Sequence, residues 1–414
     1  MITSENEQGK SDTTPMTRRS FIAGTGASVL AFTVLKPGLV GGAEANSKID
    51  IGLIGYGGRG KWIADLFQKN GGYNIVAVAD YFQDHADEAG AKFNVPAARR
   101  YTGLSGYRRL LEQKLDAVVI ESPPYFHPEQ AAAGIDAGKH VYLAKPIAVD
   151  VPGCQTVAES GKLATAKKLC FLVDFQTRAN KLYQDAVKAV HDGEIGKIVS
   201  AEANYQTGLV FENLDQQLRK DPKNPELRLR AWGVDRVLSG DIITEQNIHA
   251  LDVASWMLNA DPVRAYGTGG RKRDYVGDCW DHFAVIYYYP NDLVVSFNSH
   301  QSGQGYDDIM CRVYGLKGTA DTHYFGNVTV KAQEFHLDGK MGNLYTEGAE
   351  TNIATFRDNI IKGECGNPTV APSVRSNLTT ILGRTAAYKN GVVTWQEMMR
   401  HKEKFTHDVK GLKS

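Results

Sequence analysis

The feature that most constrains the fold of this chain is a glycine-rich hexapeptide directly after a short apolar run. The apolar run is Ile49–Ile54, and helical spacing begins near Lys61. The hexapeptide consists of Gly55, Tyr56, Gly57, Gly58, Arg59 and Gly60. In a G-x-G-x-x-G turn between a strand and a helix, the first glycine permits the tight turn, the second lets the backbone approach a pyrophosphate, and the third allows close helix packing. The chain has 42 glycines, so this placement, more than the hexapeptide itself, predicts a nucleotide-binding βαβ unit.

A carboxylate at the end of the second predicted strand indicates which nucleotide is bound. Asp80 lies 20 residues beyond Gly60. A carboxylate at this position accepts hydrogen bonds from ribose hydroxyls and repels a 2′-phosphate, while the helix N-terminus supplies N–H groups to the phosphates. The sequence therefore predicts NAD(H) as the cofactor. NADP(H) stays open because Arg59 tolerates extra negative charge, and a glycine-rich turn without a ligand is the remaining alternative.

Short apolar runs alternate with helical stretches through the first half of the chain. Such runs, separated by amphipathic helices, are typical of a buried parallel sheet. The prediction is a Rossmann-type, doubly wound α/β domain. Its strands are predicted at Ile49–Ile54, Ile75–Ala79, Ala117–Glu121, His140–Leu143 and Leu169–Val173.

After about Lys197 the predicted strands become longer and the helices fewer, so the whole fold class is α/β plus α+β. Alternation of Phe283, Val285, Tyr287 and Tyr289 predicts a mostly antiparallel open sheet with one face in the core and the other exposed or packed on a partner. The strands are predicted at Ile198–Gln206, Val263–Gly267, His282–Tyr289, Leu293–Ser299 and Asp308–Tyr314. The other predicted elements are a hairpin turn at Tyr289–Asp292, a helix at about Ile243–Leu258, a polar loop at Asn213–Arg230 that is a lid or an oligomer contact, and helices at about Asn352–Lys362 and Ser373–Lys389 that pack back across the domain junction.

The first 45 residues carry an export pattern. Arg18 and Arg19 precede a modestly apolar stretch, Phe21–Val40, and Ala43–Ala45 fits an A-x-A cleavage site. This arrangement resembles a twin-arginine (Tat) signal peptide. Because small residues dilute the apolar stretch, we expect no stable membrane anchor after processing. The prediction is a periplasmic or otherwise exported protein with the Tat translocase as a transient partner, and a disordered N-terminus with a chance Arg-Arg pair is the alternative.

Charge and cysteine content exclude several classes of protein. The chain has 47 Lys+Arg and 47 Asp+Glu, and residues 1–45 hold four of each sign, so the balance survives removal of the signal. Without net positive charge there is no general electrostatic reason to bind nucleic acid. The five cysteines form no C-x-x-C pair and the histidines no H-E-x-x-H, so we expect neither a disulfide framework nor a catalytic metal, and the thiols are predicted core residues.

Two further motifs follow the third and fourth predicted strands. One runs from Ser122 to His127, and the other is Lys145-Pro146. Together with the glycine-rich hexapeptide they resemble the motifs of the Gfo/Idh/MocA oxidoreductases, and the resemblance covers nearly the whole chain beyond residue 45. The predicted division is a signal peptide at 1–45, an NAD-binding Rossmann domain at 46–175, a substrate-binding and oligomerisation domain at 176–400 and a tail at 401–414.

The resemblance implies roles for individual residues near the cofactor. The family's Glu-Lys-Pro motif, whose lysine reaches both the nicotinamide and the reacting sugar carbon, is matched by Lys145 and Pro146, whereas Ala144 replaces the glutamate. Any contribution of that carboxylate to cofactor binding is absent or comes from another group. The cofactor-binding residues implied in this region are Ser122, Pro123, His127 and Lys145, with turn shaping as the alternative for the segment that holds His127.

The family's second domain carries an acidic residue, a histidine four positions later and an acidic residue three further on. Glu245, His249 and Asp252 match this pattern, with Glu245 in place of the more usual aspartate. Spacings of four and three place the three residues on one face of a helix. The resemblance directs His249 towards the substrate hydroxyl. A buried structural histidine is the alternative.

The chemistry of hydride removal supports these assignments. Oxidation of a carbinol requires a base for the hydroxyl proton and a cation or donor for the developing alkoxide. His249 suits the base and Lys145 the alkoxide, or the two exchange roles, because a partly desolvated lysine titrates low. The predicted catalytic residues are Lys145, His249 and Glu245. The candidate substrate-binding residues, each with sheet-core or interface packing as the alternative, are Gln176, Arg178, Tyr205, Trp280, Asp281 and His282.

The residues and the resemblance together predict an NAD(H)-dependent oxidoreductase that acts on a secondary alcohol of a sugar, polyol or glycoside. The alternatives are a redox-neutral glycoside hydrolase of the same family, which oxidises the sugar transiently, eliminates the aglycone and reduces the product, and a non-catalytic sugar or nucleotide sensor. Because Tat carries folded proteins and free NAD is scarce outside the cytoplasm, we expect NAD(H) to be tightly bound. The exposed sheet face and the resemblance favour a homodimer or homotetramer.

Overall fold

A computed structural model describes residues 48–303 and 305–414, so the predicted signal peptide lies outside the described residues. The first sheet consists of β1 (Ile49–Ile54), β2 (Tyr73–Ala79), β3 (Arg100–Tyr101), β4 (Ala117–Ile120), β5 (His140–Ala144) and β6 (Phe171–Asp174). Its strands are all parallel and lie in the order β3-β2-β1-β4-β5-β6. The predicted doubly wound sheet is confirmed. Only the two-residue β3 was not predicted, because it is too short to carry a pattern.

Helices cover both faces of this sheet and bury two separate apolar layers against it. The helices are α1 (Gly58–Asn70), α2 (Gln83–Lys92), α3 (Gly106–Leu111), α4 (His127–Asp136) and α5 (Val151–Ala166). The strand order reverses beside β1, because β2 lies on one side of β1 and β4 on the other. In open α/β sheets, ligands bind at this switch point outside the carboxyl ends of the strands.

The second sheet is larger and mostly antiparallel, as predicted. It consists of β7 (Ile198–Thr207), β8 (Arg264–Gly270), β9 (His282–Tyr288), β10 (Val294–Gln301), β11 (Asp308–Gly315), β12 (Gly318–His323), β13 (Asn327–Ala332), β14 (His336–Lys340) and β15 (Val392–Thr394). The order is β14-β13-β12-β11-β7-β10-β9-β8-β15, and every neighbouring pair is antiparallel except β7 with β10.

The remaining helices follow β6, and among them α7, α12 and α14 pack on the second sheet. They are α6 (Gln176–Ala179), α7 (Lys181–His191), α8 (Glu212–Leu218), α9 (Pro225–Arg230), α10 (Arg236–Ser239), α11 (Ile242–Glu245), α12 (Ile248–Leu258), α13 (Leu344–Lys362), α14 (Val370–Lys389) and α15 (Trp395–His401). The predicted alternation in β9 is confirmed, since Phe283, Val285 and Tyr287 are all buried beneath α14. A Cβ atom at Gly383 of α14 would lie 2.0 Å from the Tyr287 hydroxyl, so helix and sheet are in direct contact.

The predicted helix at Ile243–Leu258 is divided in two. Helix α11 ends at Glu245, and the N–H of Asn247 bonds to the carbonyl of Ile242, five residues back. Helix α12 then begins at Ile248. The prediction that Glu245, His249 and Asp252 share one face of a single helix is therefore wrong, because Glu245 ends α11 whereas His249 and Asp252 lie in α12.

The predicted polar loop at Asn213–Arg230 is also wrong, because the segment holds helices α8 and α9. The Asn224 side chain accepts hydrogen bonds from the N–H groups of Glu226 and Leu227, and Pro225 occupies the first helical position. The Asn-Pro pair therefore begins a helix within the segment that was predicted to be a loop. Leu218 of α8 is fully buried in a small apolar cluster that lies apart from the main core.

The two late helices return to the first sheet, as predicted. Asn352 of α13 donates to the Asp174 carboxylate at 2.8 Å, and Asn377 of α14 accepts the N–H of Ile147 at 3.1 Å and donates to the Ala148 carbonyl at 3.0 Å. Both asparagines are buried. The junction between the two parts of the chain is therefore held by satisfied buried amides, which are costly to break.

Over residues 48–303 and 305–414, no helix has both the length and the apolar character needed to cross a bilayer.

Candidate active site

A cleft of about 680 Å³ opens at the carboxyl ends of the parallel strands. This volume is typical of small-molecule sites, which measure roughly 300–1,000 Å³. The first sheet contributes the turns after β1, β2, β4 and β5, and the second part of the chain contributes α8, α9, α11 and α12. The predicted residues that line the cleft are Gly55, Gly57, Gly58, Arg59, Asp80, Ser122, Pro123, His127, Lys145, Glu245 and His249.

The glycine-rich turn leaves its backbone open towards the cleft. A Cβ atom at Gly57 or Gly58 would meet no atom within 4 Å. Gly55 has φ of +91°, and a Cβ there would lie 2.6 Å from the backbone nitrogen of Ser122. A Cβ at Gly60 would lie 2.2 Å from the Gly55 carbonyl oxygen, so α1 packs directly on the turn. Gly55 and Gly60 therefore have the turn and packing roles that the sequence predicts, with Gly60 beneath the cleft rather than in its wall, whereas the approach of a pyrophosphate at Gly57 stays a prediction.

The Asp80 carboxylate is linked to the glycine-rich turn by the backbone. Asp80 accepts the N–H of Tyr56 at 2.7 Å through Oδ2 and the N–H of Phe82 at 2.9 Å through Oδ1. Each carboxylate oxygen accepts a second hydrogen bond readily, and Asp80 lines the cleft. The Tyr56 side chain is buried against Phe93 and does not line the cleft.

His127 holds together the two turns that carry the family-like motifs. Its Nδ1 lies 2.7 Å from the Pro146 carbonyl and its Nε2 lies 2.6 Å from the Ser122 carbonyl. Burial lowers the pKa of His127 to about 4, although both carbonyls favour the charged ring. The ring is neutral at pH 7 and donates to one of the two carbonyls. His127 therefore shapes the turns and lines the cleft, and its contact with the cofactor stays a prediction.

Lys145 lies between the two halves of the cleft. Its Nζ donates to the Glu245 carbonyl at 2.8 Å and lies 3.5 Å from Glu245 Oε1. Burial lowers the pKa of Lys145, the Glu245 carboxylate opposes that effect, and the positive charge of Arg59 adds to it. The Glu245 carboxylate also accepts from the Gln246 amide, which in turn accepts the Tyr205 hydroxyl at 2.6 Å. Tyr205 thus reaches the site through Gln246, and its ring does not line the cleft.

His249 faces the same cleft from α12. Its Nδ1 lies 2.9 Å from the Tyr324 hydroxyl, and the Tyr345 ring lies edge-on with its centroid 5.8 Å from the imidazole. The pKa of His249 is well below its ordinary value, first because the ring is buried and then because Lys145 and Arg59 are positively charged. A neutral imidazole is a competent proton acceptor at pH 7.

Arg59 pairs with two carboxylates beside the strand that ends at Ala144. Its Nε lies 3.0 Å from Glu121 Oε2, and its Nη2 contacts the Asp174 carboxylate. Glu121 follows β4 and Asp174 ends β6, so they flank Ala144 at the end of β5. Burial raises the pKa of Glu121 to about 7. Two carboxylates thus lie next to the position at which Ala144 replaces the family's glutamate.

Several predicted substrate residues lie outside the cleft lining. Arg178 makes a two-pronged ion pair with Asp252, with distances of 2.8 and 3.0 Å, and lies over the Trp256 ring. Gln176 donates to the Asp174 carboxylate at 2.9 Å and is fully buried. Asp252 satisfies Arg178, and Gln176 bonds through its amide nitrogen alone, since its Oε1 is buried without a hydrogen-bond partner. The structure brings neither Arg178 nor Gln176 to the cleft.

The Trp280, Asp281 and His282 group is likewise distant from the cleft lining. Trp280 stacks on Tyr388 with ring centroids 4.0 Å apart. Asp281 accepts the N–H of Lys272 at 2.5 Å and pairs with His282 at 2.6 Å. These contacts stabilise the connection between β8 and β9, which corresponds to the packing alternative for this group.

The sequence did not identify the residues that cover the cleft. Residues 211–232, which we call the cover segment, include α8 and α9, and several of their side chains line the cleft. Arg230 lies over the Phe82 ring, 3.8 Å from its centroid, and pairs with Asp84 at 3.0 Å. Tyr345 of α13 also lines the cleft, 100 residues beyond Glu245 and without a local pattern that marks it. The sequence came closest to identifying this cover when it gave a lid as one of two possible roles for residues 213–230.

The open glycine backbone, the helix start and the Asp80 carboxylate fit a dinucleotide, and the family comparison agrees. Residues 49–175 match the family described as "Oxidoreductase family, NAD-binding Rossmann fold" and residues 183–321 match the "GFO/IDH/MocA C-terminal domain". The chain belongs to the Gfo/Idh/MocA oxidoreductase family. The cofactor of this Gfo/Idh/MocA enzyme is NAD(H), and the NAD-binding match contains the glycine-rich turn, Asp80 and Lys145.

Curated relatives of this Gfo/Idh/MocA enzyme include inositol dehydrogenases. The chain is 25% identical over 353 residues to an inositol 2-dehydrogenase of Rhizobium meliloti (strain 1021), which covers 83% of this chain and 96% of the relative. It is 23% identical over 347 residues to a myo-inositol 2-dehydrogenase of Thermotoga maritima, covering 81% of this chain and 94% of the relative.

Solved structures share the fold of the Gfo/Idh/MocA enzyme. An aldose-aldose oxidoreductase from Caulobacter crescentus, crystallised with glycerol, superposes with a TM-score of 0.66 at 18% identity. A levoglucosan dehydrogenase in complex with NADH and L-sorbose also gives 0.66, at 19% identity. Each comparison covers 84% of this chain and 99% of the other.

Among the described residues, one group of three side chains has metal-ligand chemistry and close spacing. His140, Cys170 and Cys365 bring one ligand atom each within 4.8 Å of the others. The group lies at the amino ends of β5 and β6, whereas the cleft lies at the carboxyl ends. It is therefore not part of the candidate active site, and the absence of a catalytic metal stays a prediction.

Proposed function

We propose that this enzyme oxidises or reduces a secondary alcohol of a sugar, polyol or glycoside by hydride transfer. The observation that carries the proposal is that Lys145 and His249, from different parts of the chain, are both buried in one cleft with the glycine-rich turn. The inositol dehydrogenases among its relatives support a polyhydroxylated substrate. Bound NAD(H) supplies the hydride acceptor or donor.

The environments of the two residues suggest how they divide the proton chemistry. The lowered pKa of His249 favours a neutral ring, and Nδ1 lies 2.9 Å from the Tyr324 oxygen. We assign the tautomer in which Nδ1–H donates to that oxygen, which leaves Nε2 to accept the substrate hydroxyl proton. The Lys145 ammonium, held by the Glu245 carbonyl, donates to the oxygen on which negative charge develops. In the reductive direction the same groups return the proton. Glu245 acts on the substrate through Lys145.

Two further side chains are suited to bind hydroxyl groups. Gln246 and Tyr345 line the cleft next to Glu245 and His249. An amide both donates and accepts, and a phenol does the same, so each can distinguish a hydroxyl from a hydrogen on a sugar ring. We therefore assign substrate binding to Gln246 and Tyr345, in place of the predicted residues, such as Arg178 and Trp280, that do not line the cleft.

The decisive experiment determines cofactor and reaction together. The purified enzyme is denatured and the released dinucleotide identified, and the native enzyme is assayed with inositols, free sugars and aryl glycosides. The expected result is a change in the absorbance of reduced nicotinamide with a polyol or sugar. Aglycone release without net NADH would instead support the redox-neutral hydrolase. Binding of sugars without turnover of any of them would contradict both activities.

We also propose that NAD(H) is tightly held. The support is the cover segment, in which Arg230 pairs with Asp84, and Glu226 accepts the Tyr81 hydroxyl at 2.8 Å. Arg230→Ala should release NADH faster than the wild type in a stopped-flow fluorescence measurement, whereas Lys220→Ala, an exposed change in the same segment, should not. A wild-type protein that is purified without NAD(H), or that binds it only at millimolar concentration, would refute tight binding.

Export through the Tat pathway is a separate proposal, supported by the pattern of residues 1–45. Cell fractionation should find the wild-type chain in the exported fraction and the double variant Arg18→Lys, Arg19→Lys in the cytoplasm. Equal distribution of the two would contradict a twin-arginine signal.

Homodimer or homotetramer formation is supported by exposed apolar side chains of the second sheet and its connections. These are Val199, Val263, Tyr266, Leu316 and Val392. Light scattering should give a mass of two or four chains, and Leu316→Lys should shift it towards one. A wild-type mass of one chain at micromolar concentration would contradict the proposal.

A further inference from the structure

Two thiols that are 195 residues apart in the sequence are in contact at the edge of the first sheet. The sulfur atoms of Cys170 and Cys365 lie 2.7 Å apart. Cys170 is 2% exposed and Cys365 is 8% exposed. The first precedes β6 and the second lies between α13 and α14. Both are buried core residues, as predicted, and the sequence could not show that they touch because they are so far apart along the chain.

Neighbouring hydrogen bonds fix the segment that follows Cys365 against the strand that follows Cys170. Strand β6 is an edge strand of its sheet. The Asn367 side chain accepts the N–H of Phe171 at 2.6 Å, and the Thr369 hydroxyl accepts the N–H of Val173 at 3.0 Å. The segment after Cys365 thus provides side-chain acceptors for backbone N–H groups of the edge strand, which would otherwise bond to the backbone of a further strand.

The geometry favours a covalent bond over a metal site. Two thiolates bound tetrahedrally to zinc, with Zn–S distances of about 2.3 Å, lie roughly 3.8 Å apart. A disulfide needs an S–S distance of about 2.05 Å. The observed 2.7 Å is closer to the disulfide. In addition, the Nδ1 lone pair of His140 already accepts the N–H of Cys170 at 2.8 Å.

We propose that Cys170 and Cys365 form a disulfide bond once the protein reaches an oxidising compartment. Cys365, the more exposed, attacks one sulfur of a disulfide oxidant, and Cys170 then displaces that sulfur from the mixed disulfide. The two thiol protons and two electrons pass to the oxidant, whose disulfide becomes two thiols. The occurrence of the bond in cells rests on the proposed export, since the cytoplasm keeps thiols reduced.

The bond would close a covalent ring around most of the second sheet. Strands β7 to β14 all lie between Cys170 and Cys365, and β15 alone lies outside. Both ends of the substrate-binding part would then be linked to the edge of the NAD-binding sheet. A ring of this size restricts the unfolded chain strongly, which is the main way in which disulfides stabilise a fold.

The test uses the purified enzyme and oxidised glutathione. After reduction, all five cysteines should react with N-ethylmaleimide under denaturing conditions. After oxidation, three should react, and a peptide map should show Cys170 linked to Cys365. The oxidised enzyme should melt about 5 °C or more above the reduced enzyme. In Cys365→Ala the melting temperature should not respond to oxidation, whereas Cys311→Ala, a buried thiol on β11, should behave like the wild type.

Full alkylation of the oxidised wild type, or identical melting temperatures of its two forms, would overturn the proposal without requiring any variant to fold. If the purified wild type contained one zinc ion per chain and Cys365→Ala contained none, the group would be a metal site and the disulfide proposal would be wrong. The enzyme could instead form the bond with glutathione in solution but be found in cells only in the cytoplasm and only in the reduced form. That result would contradict both export and the presence of the bond in cells, and it would leave the oxidoreductase proposal unaffected.

Discussion

At the scale of single residues, the site depends on buried groups whose surroundings disfavour charge. Burial lowers the pKa of both Lys145 and His249, and each is further affected by the positive Arg59. Arg59 itself is compensated by Glu121 and Asp174. In the proposed mechanism the cleft therefore combines a neutral base, His249, with the ammonium group of Lys145, whose charge burial disfavours. This arrangement suits a reaction that creates negative charge on oxygen.

The pH profile of alcohol oxidation should show the effect of burial on His249. Because its pKa is well below 6.5, His249 should contribute no inflection of kcat/KM between pH 8 and pH 6.5, and the acidic limb that it causes should lie below pH 6.5. His249→Asn should lower kcat by about 10²–10⁴-fold, typical of a lost general base, and should remove the acidic limb. NADH binding by fluorescence titration should be unchanged. An acidic limb that persists in the variant would assign it to another group.

The buried His127 should make stability depend on pH in a defined direction. Its pKa falls from 6.5 to about 4 in the folded state. As the pH falls through 6.5, the imidazole of the unfolded chain becomes protonated while that of the folded protein stays neutral. The free energy of unfolding therefore decreases as the solution becomes more acidic. From pH 7.5 to pH 5 this loss is about 2 kcal/mol.

Urea unfolding at pH 7.5 and pH 5 measures this contribution. His127→Asn should be less stable than the wild type at pH 7.5, and the difference should narrow by about 2 kcal/mol at pH 5 because the variant lacks the titrating ring. His336→Asn, at an exposed position, should show no such narrowing. A constant difference between wild type and His127→Asn would show that the folded ring titrates normally.

At the scale of elements, the first sheet could be predicted because its strands are buried on both faces and are therefore continuous apolar runs. The strands β12 to β14 were missed because they carry few apolar residues, such as Ala320, Val328 and Leu337, among polar ones. The break after Glu245 was missed because Gln246-Asn247 is no strong breaker and the apolar spacing continues through it.

The same contrast separates the predicted site residues. Lys145 and Asp80 follow buried strands, so the local pattern alone places them at the carboxyl edge of the sheet. The positions of Arg178 and Trp280 depend on how distant elements pack: Arg178 pairs with the buried Asp252, and Trp280 stacks on the half-buried Tyr388. No local pattern in the sequence records such long-range pairing.

Two glycines of the nucleotide turn should respond differently to the same substitution. Gly60→Ala places a methyl group 2.2 Å from the Gly55 carbonyl, so α1 must move. We expect a loss of about 1–3 kcal/mol of stability, typical of an overpacked site. Gly57→Ala meets no protein atom within 4 Å and should leave the melting temperature unchanged.

The binding measurement completes this comparison. Gly57→Ala should weaken NADH binding at least tenfold, about 1.4 kcal/mol, because its methyl group occupies the space through which a pyrophosphate approaches the backbone. If Gly57→Ala bound NADH like the wild type, the phosphates would have to lie elsewhere on the turn.

At the scale of the whole molecule, the last residues of the chain connect its two parts. The predicted tail at 401–414 runs back over the NAD-binding sheet, where the N–H of Phe405 donates to Asp150 at 2.8 Å and the N–H of Lys413 donates to the Tyr81 hydroxyl at 3.0 Å. Since Tyr81 lines the cleft, the chain terminus contacts a wall of the cofactor site.

Truncation after His401 should therefore weaken both the fold and cofactor retention. We expect a melting temperature lower by several degrees, as for a loss of about 1–2 kcal/mol, together with faster NADH release in a stopped-flow experiment. Lys410→Ala, an exposed change in the tail, is the control. Unchanged NADH release in the truncated enzyme would show that Tyr81 keeps its position without the tail.

The break between α11 and α12 affects which mutations this enzyme can tolerate. The N–H of His249, which would bond to the Glu245 carbonyl in a continuous helix, bonds instead to Gln246 at 3.3 Å. The Glu245 carbonyl is thus available to Lys145, and at 2.8 Å it is closer than the carboxylate at 3.5 Å. Every amino acid carries that carbonyl. A substitution at position 245 can therefore change the charge near Lys145 without removing the hydrogen bond from Lys145 to the backbone carbonyl of residue 245.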